Sequence, residues 1–283
     1  MMFVVGASGR MGGAVLRFVQ SGTRAGSRSG KSVNNATETV KFDLGEPALS
    51  MSALNGCETL FLMRPPKITK RQPFNNLMQT ARRAGIRHIV CASVYGAGNS
   101  RVLPHRHMEA AVRESGLPYT FLRPADFMQN LTDVHTASIR ERHEIAVPAG
   151  NGRSAFLDVE DVGRATCAIL NDCEKHSGKA YNLTGPQALA FNDIAQMMTE
   201  EIGPPPIRYR PVSIARFLYE QIRRGTPGTM ALVMAGLYTV QRLGRAAPVS
   251  QDFLQLTNEP AGNFRRFLQR HRTLFDSFPR SAS

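Results

Sequence analysis

Short apolar runs alternate with amphipathic stretches along the first two thirds of this 283-residue chain. The runs at 3–5, 23–27, 39–42, 58–63, 86–92, 119–122 and 180–183 predict β-strands, most of them apolar on both faces as in a buried parallel sheet. Between them, residues 11–20, 47–54, 72–84, 106–115 and 161–170 place apolar side chains at helical spacing, and Gly85 and Gly116 close two of these helices. This alternation predicts an α/β fold, a doubly wound parallel sheet with helices on both faces. Residues 191–202 and 213–243 read as further helices, separated by Gly203-Pro204-Pro205-Pro206. We therefore expect a domain over residues 1–185 and a smaller, mainly helical lobe over 186–283, with an approximate boundary across which the lobes can interleave.

The first strand carries the strongest chemical signal. Met2-Phe3-Val4-Val5 leads into Gly6, Gly9 and Gly12, and a helix follows at once. A strand that turns this sharply into a helix leaves free N–H groups and the positive end of the helix dipole facing one point, where a pyrophosphate binds. Gly6 allows the turn, Gly9 the approach of the phosphate, and Gly12 the packing of helix on sheet. Ser8, Arg10 and Met11 complete the predicted phosphate-facing set, and the domain reads as a Rossmann-type dinucleotide-binding domain.

The loop after the second strand selects the cofactor. An acid there would take a ribose 2′-hydroxyl, but Arg24 to Ser32 contains none and offers Arg28, Lys31 and several serines instead. Cations and hydroxyls suit a 2′-phosphate, so NADPH is expected over NADH. Asp43 and Leu44 fall where an adenine lies; Asp43 either accepts from its amino group or caps the next turn.

Composition narrows the class further. Hydrophobic residues make up 42 % of the chain, enough for a core, and no apolar run reaches the roughly 20 residues of a membrane span. The first strand starts too early for a preceding signal peptide, and Cys57, Cys91, Cys167 and Cys173 lack C-x-x-C spacing. A reducing, cytoplasmic setting without a metal site is expected. The net charge of +13 is concentrated toward the end, with twelve arginines against four acids from Pro204 onward. No nucleic-acid motif or aromatic interleaving accompanies them, which argues against specific nucleic-acid binding. A small molecule is the expected partner, for a monomer or homodimer.

A wider set of residues supports a family resemblance. Val5-Gly-Ala-Ser-Gly-Arg-Met-Gly12, Arg24-Ala-x-x-Arg28, Ala53-Leu-Asn-Gly-Cys-Glu-Thr-Leu-Phe-Leu62 and Ala84-Gly-Ile-Arg-His-Ile-Val90 are its first elements. Ser115-Gly-Leu-Pro-Tyr-Thr-Phe-Leu-Arg-Pro124, Phe127-Met-Gln-Asn130, Phe156-Leu-Asp-Val-Glu-Asp-Val-Gly163 and Ala180-Tyr-Asn-Leu-Thr-Gly-Pro186 complete it. The chain resembles the NmrA-like family of atypical short-chain dehydrogenases/reductases. That group includes quinone, azo-dye and triphenylmethane-type reductases, ergot-alkaloid dehydrogenases, and redox sensors that bind dinucleotide without turnover. The resemblance implies an NADPH-dependent reductase of a small conjugated or aromatic acceptor (quinone, azo, imine or enone). The alternative it leaves open is a non-catalytic NADP(H)-sensing regulator acting through protein partners.

In open α/β sheets the ligand lies beyond the carboxyl ends of the strands. These ends carry Met63 and Arg64, expected near the nicotinamide ribose, then Ser93 and Tyr95, then Arg123-Pro124-Ala125-Asp126-Phe127. The Tyr-x-x-x-Lys pair of ordinary short-chain dehydrogenases is missing: Tyr95 is followed four residues on by Asn99, and no lysine occurs between Lys70 and Lys175. The resemblance puts a Lys or His facing the nicotinamide at the position of His105, four residues before Glu109. His105 is thus the leading candidate for proton donation or for holding the ribose, with His107 and Tyr95 behind it. Tyr95, Phe127, Asn130 and Phe156 are the candidate substrate contacts. The apolar stripe over 230–237 reads equally as substrate wall or as core.

Overall fold

Strands that are apolar on both faces can be buried only in the middle of a layered sheet, and Met2–Val5, Thr59–Met63 and His88–Ala92 lie there, in a seven-stranded sheet whose edges are more polar. In the computed structural model the described backbone comprises residues 1–19, 22–46, 48–98, 100 and 103–275, with side chains described for all of these except 48–50. The predicted helix ends at Gln20 and Pro47 lie outside the described residues. The elements begin β1 (Met2–Val5), α1 (Arg10–Phe18), β2 (Thr23–Ser27), β3 (Glu38–Lys41), α2 (Ala48–Leu54) and β4 (Thr59–Met63). They continue α3 (Gln72–Arg83), β5 (His88–Ala92), α4 (His105–Glu114), β6 (Tyr119–Pro124), α5 (Thr136–Arg142), β7 (Glu144–Val147) and β8 (Arg153–Ser154). Then come α6 (Val159–Asn171), α7 (Cys173–His176), β9 (Ala180–Leu183), β10 (Leu189–Ala190), α8 (Phe191–Ile202) and β11 (Arg208–Pro211). The last are α9 (Ile214–Arg223), α10 (Gly228–Arg242), α11 (Asp252–Thr257) and α12 (Phe264–Arg270).

Two compact units share these elements. The first comprises Met1–Pro124, Val159–Leu183 and Gln251–Pro260. Its sheet is parallel throughout, in the order β3-β2-β1-β4-β5-β6-β9, so the strand order reverses at β1/β4, where a doubly wound fold binds its ligand. Phe3, Leu60, Leu62, Ile89 and Phe121 fill the layer between this sheet and helices that contribute Phe74, Leu77 and Met108. Helices α1 and α6 approach closely because position 163 is glycine: a Cβ there would lie 2.6 Å from the carbonyl oxygen of Ala14.

The second unit comprises Ala125–Asp158, Thr184–Ser250 and Ala261–Ser283. Helices dominate it, together with a parallel pair, β7 with β11, and an antiparallel pair, β8 with β10. Phe191, Phe217, Tyr238, Phe264 and Phe267 form its aromatic core. The helix expected over 213–243 is in fact two, α9 and α10. Pro227 has no N–H to continue the ladder, and Gly225 adopts φ 86°, so the chain turns between them. Residues 125–158 and the short β10 and β11 show no clear period in sequence; two- to four-residue strands are too brief to display one. No helix among the described residues is long and apolar enough to cross a membrane.

Candidate functional site

The turn from β1 into α1 is a cradle that side chains would fill. Gly6 takes φ 72° and faces the Met63 thioether; a Cβ on it would stand 2.6 Å from Met63 Sδ. A Cβ on Gly12 would stand 2.4 Å from the Gly6 carbonyl oxygen. The Gly9 N–H donates to that same oxygen at 2.9 Å and tightens the turn. Helix α1 starts without a side-chain cap and without an acid in its first turn. Its first N–H groups therefore favour an anion such as a pyrophosphate, and the glycines let the strand and the helix pack closely enough to form the turn. Ser8 and Arg10 are exposed at the rim, and Met11 is half-buried.

Arg24 and Arg28, four residues apart, have different tasks. Arg24 donates to the carbonyls of Ala53 at 2.9 Å and Asn55 at 2.6 Å and pairs with Glu38, so it braces the sheet edge. Arg28 and Lys31 are exposed, and no hydrogen bond or ion pair among the described residues engages their charged ends. Asp43 Oδ1 accepts from the Gly45 N–H at 2.9 Å and caps its own turn, while Leu44 is buried beside it.

Beyond β4 and β5 lies a polar cluster. Arg64 donates to the carbonyls of Pro65, Pro66 and Ile68 at 3.0–3.2 Å and through Nε to His105 Nε2 at 3.4 Å. Because a guanidinium can only donate, His105 Nε2 is the acceptor and the ring proton sits on Nδ1. Among the described residues, that Nδ1 is buried without a partner. Burial pushes the His105 pKa down to about 4, with the Arg64 charge adding to the effect and Glu109 opposing it. The imidazole is therefore neutral at physiological pH and presents one unengaged N–H. His107 is half-buried on the same helix turn, and Tyr95, also half-buried, is tied through its backbone N–H to Pro124 at 2.8 Å.

Helix α4, which carries His105, is anchored from below by a buried carboxylate. Glu109 accepts two bonds from Arg123, at 3.0 and 2.8 Å, and one from Arg113 at 2.9 Å. Burial raises its pKa, but the arginines and the nearby Ser93 hydroxyl outweigh that and hold it below the ordinary carboxylate value. Arg123 is thus a strut between β6 and α4. Gly98 covers it: a Cβ there would come within 2.6 Å of the guanidinium.

The second unit contains a cavity of about 420 Å³. Phe127, Asn130 and Phe156 meet on its wall with Met230, Val233, Met234 and Leu237 of the apolar stripe. Tyr95, the remaining candidate contact, belongs to the first unit. The polar groups on this wall include four that carry no motif in sequence: Asp126, His135, Tyr238 and Gln241. A single π-helical turn over Leu131–His135 turns His135 inward, and its Nε2 shares a 2.7 Å hydrogen bond with the Tyr238 hydroxyl. Burial, aided by Arg224, pushes the His135 pKa down to about 4. Burial likewise pushes the Asp126 carboxyl up to about 6, against hydrogen bonds from Gln241 and Asn130.

These shifts predict how stability varies with pH. His88, His105 and His135 are each held near 4, so between about pH 6.5 and 4 they are charged only in the unfolded chain, and folding weakens as pH falls. Asp126 has the opposite sign: below about pH 6 it is protonated only when folded, which strengthens folding. Among these four groups, three histidines against one carboxyl leave a slope of up to about two protons, roughly 2–3 kcal/mol per pH unit around pH 5, and the lowered pKa values of His176 and Glu109 act in the same direction. Urea unfolding at pH 7, 6 and 5 should show that loss; a flat profile would place these histidines in solvent.

A doubly wound sheet with a glycine cradle at its first turn, and no acid after its second strand, defines a dinucleotide-binding protein of the atypical short-chain dehydrogenase class. The chain belongs to the NmrA-like family, which it matches over residues 1–255. It is 29 % identical to the NAD(P)H azoreductase of Xenophilus azovorans over 97 % of this chain and 99 % of that one. It is 28 % identical to quinone oxidoreductase 2 of Escherichia coli (strain K12) over 68 % of each. Among solved structures, the Citrobacter sp. triphenylmethane reductase complexed with NADP(H) superposes with a TM-score of 0.83 at 25 % identity, covering 95 % of this chain and 99 % of that one.

Proposed function

We propose that this NAD(P)H-dependent oxidoreductase transfers hydride from NADPH to a small conjugated or aromatic acceptor of the quinone, azo, imine or enone type. The observation that carries the acceptor class is the cavity of the second unit, about 420 Å³, whose wall carries Phe127, Met128, Phe156, Phe191, Met230 and Met234 beside a polar end that holds Asp126 and Gln241. Such a wall suits a flat, conjugated ligand. The relatives named above act, by their names, on azo, quinone and triphenylmethane compounds, which supports the same reading.

Bound NADPH supplies the hydride. The chain's own part is to hold, orient and protonate. The α1 N-terminus and the glycine cradle take the pyrophosphate, and Arg28 and Lys31 take the 2′-phosphate. Arg64 fixes the His105 ring in the tautomer whose Nδ1–H is unengaged, so this proton is the one available to a ribose hydroxyl or to the reduced acceptor atom. No Tyr-x-x-x-Lys pair is needed: quinone, azo and enone acceptors take hydride to give delocalised anions, which one N–H hydrogen bond can steady until water protonates them, and an imine accepts hydride as its iminium, already protonated.

The test follows NADPH absorbance against a panel of quinones, azo dyes, imines and enones. Wild type should turn over at least one class. His105→Ala should lower kcat by about 10- to 100-fold, most for quinone, azo and enone acceptors, whose developing anion loses its N–H donor. Arg28→Ala/Lys31→Ala should reduce the preference for NADPH over NADH by roughly 10- to 100-fold. Tight NADPH binding with no turnover on any acceptor would refute the reading; an unchanged cofactor preference would refute the 2′-phosphate assignment.

A further inference from the structure

The polar end of the second unit's cavity is chemically one-sided. Asp126 accepts from Asn130 Nδ2 at 3.1 Å and from Gln241 Nε2. Both donors face the carboxylate, which fixes the Gln241 amide: turned over, its oxygen would point at a negative oxygen. The Gln241 Oε1 is therefore directed away, and it is buried without a partner among the described residues, the side chain being only 1 % exposed. A buried acceptor with nothing to accept destabilises the site, a penalty that a ligand donor removes. Neighbouring polar groups do not relieve it. Gln221 Oε1 accepts from Thr226, and His135 is bonded to Tyr238. The backbone holds the position as well: Gly152 sits so close that a Cβ on it would lie 2.2 Å from the Gln241 carbonyl oxygen.

From this geometry we infer that Gln241 Oε1 and the Asp126 carboxyl form a specificity site for ligands carrying an aromatic hydroxyl or amino group, whose O–H or N–H donates to them. The ring lies against the aromatic and methionine wall, and the donor fills the unpaired acceptor. An anionic ligand would find Arg224, which also lines the cavity, but would leave the Gln241 oxygen unpaired and meet the Asp126 charge. An ether or ester of the same ring fits the apolar wall and forfeits the hydrogen bond. Sites built to hydrogen-bond a hydroxyl discriminate strongly against analogues that lack it, because their own buried groups are then left unpaired.

This inference rests on the reading that the cavity takes the acceptor, and it is tested without turnover. The probes are 2-naphthol and 2-methoxynaphthalene, which NADPH does not reduce, titrated into the full chain by calorimetry. Wild type should bind 2-naphthol roughly 10- to 100-fold more tightly than its methyl ether. Asp126→Asn removes the charge that fixes the Gln241 amide: the amide can turn over so that its Oε1 accepts from the new Nδ2 while Asn130 still donates to Oδ1, which takes the acceptor out of the cavity, and the ratio should fall toward one. Gln241→Met removes the acceptor and should do the same, with thermal unfolding showing that both variants are folded. A ratio near one in wild type, a ratio that survives in both variants (steric exclusion of the methyl group), or binding of neither probe would overturn the site. Failure of the reductase reading is separate: it is read from NADPH consumption, not from these affinities.

Discussion

Gly12→Ala is expected to abolish dinucleotide binding, raising the NADPH dissociation constant by more than about 100-fold, and to destabilise the first unit by roughly 1–3 kcal/mol. The added methyl would lie 2.4 Å from the Gly6 carbonyl oxygen, 2.7 Å from Ala7 Cα and 2.8 Å from the Gly6 carbonyl carbon. All three are backbone atoms of the turn, so no side chain can swing aside. Helix α1 must move off the strand, and its first N–H groups leave the point where the pyrophosphate binds. Gly13→Ala is the control. Its Cβ would meet only Arg17 Nη1 at 3.6 Å and the Ala7 oxygen at 3.9 Å, ordinary contacts. Alanine in a helix interior is favoured over glycine by up to about 1 kcal/mol, so this variant should bind normally and unfold at an equal or higher temperature. Calorimetric titration with NADPH and thermal unfolding decide the matter; equal behaviour of the two variants would sink the cradle.

Glu109→Ala should cost about 3–5 kcal/mol, the largest stability effect expected in the chain. Glu109 is 1 % exposed and accepts three charge-assisted bonds, while Arg123, half of a bidentate pair with it, is itself only 16 % exposed. Removing the carboxylate leaves a guanidinium desolvated and uncompensated above the Phe121 ring. The penalty is that stranded charge rather than the intrinsic strength of the pair, which sets a second expectation. Glu109→Ala/Arg123→Met, which removes both charges, should recover more than half of the loss. Urea unfolding of the two single variants and the double variant measures this; a loss below about 1 kcal/mol in Glu109→Ala would show the pair to be solvated. Because α4 also carries His105, the single variant should lose His105-dependent turnover as well.

The parts of the site most legible in sequence were those set by local backbone geometry. Gly6, Gly9 and Gly12 lie within one strand–helix unit, so the tight turn follows from their spacing, and the acid-free loop holding Arg28 and Lys31 was equally visible. Residue type did not separate Arg28, which is unengaged, from Arg24, a brace to the carbonyls of Ala53 and Asn55. Asp43 was open between two roles, and the structure has it capping its own turn. His105 could be singled out by its place before Glu109. Its proton position, though, depends on Arg64, which is 41 residues away in sequence and meets it only across the ends of two strands.

The second unit was the least legible part, for a physical reason. Its cavity draws residues from segments on both sides of α6, and its strands are two to four residues long, too short for a period to register. Gln241 reads in sequence as the polar end of an apolar helix, and Asp126 as one more residue after a strand. Sequence alone determined the strand–helix alternation, the dinucleotide turn and the family, because each is written in neighbouring residues. Only the tertiary structure decided which charges are spent on the fold, which nitrogen of His105 keeps its proton, and that the Gln241 oxygen is left without a partner. Those are properties of burial and of contacts between segments far apart in the chain, and no local pattern encodes them.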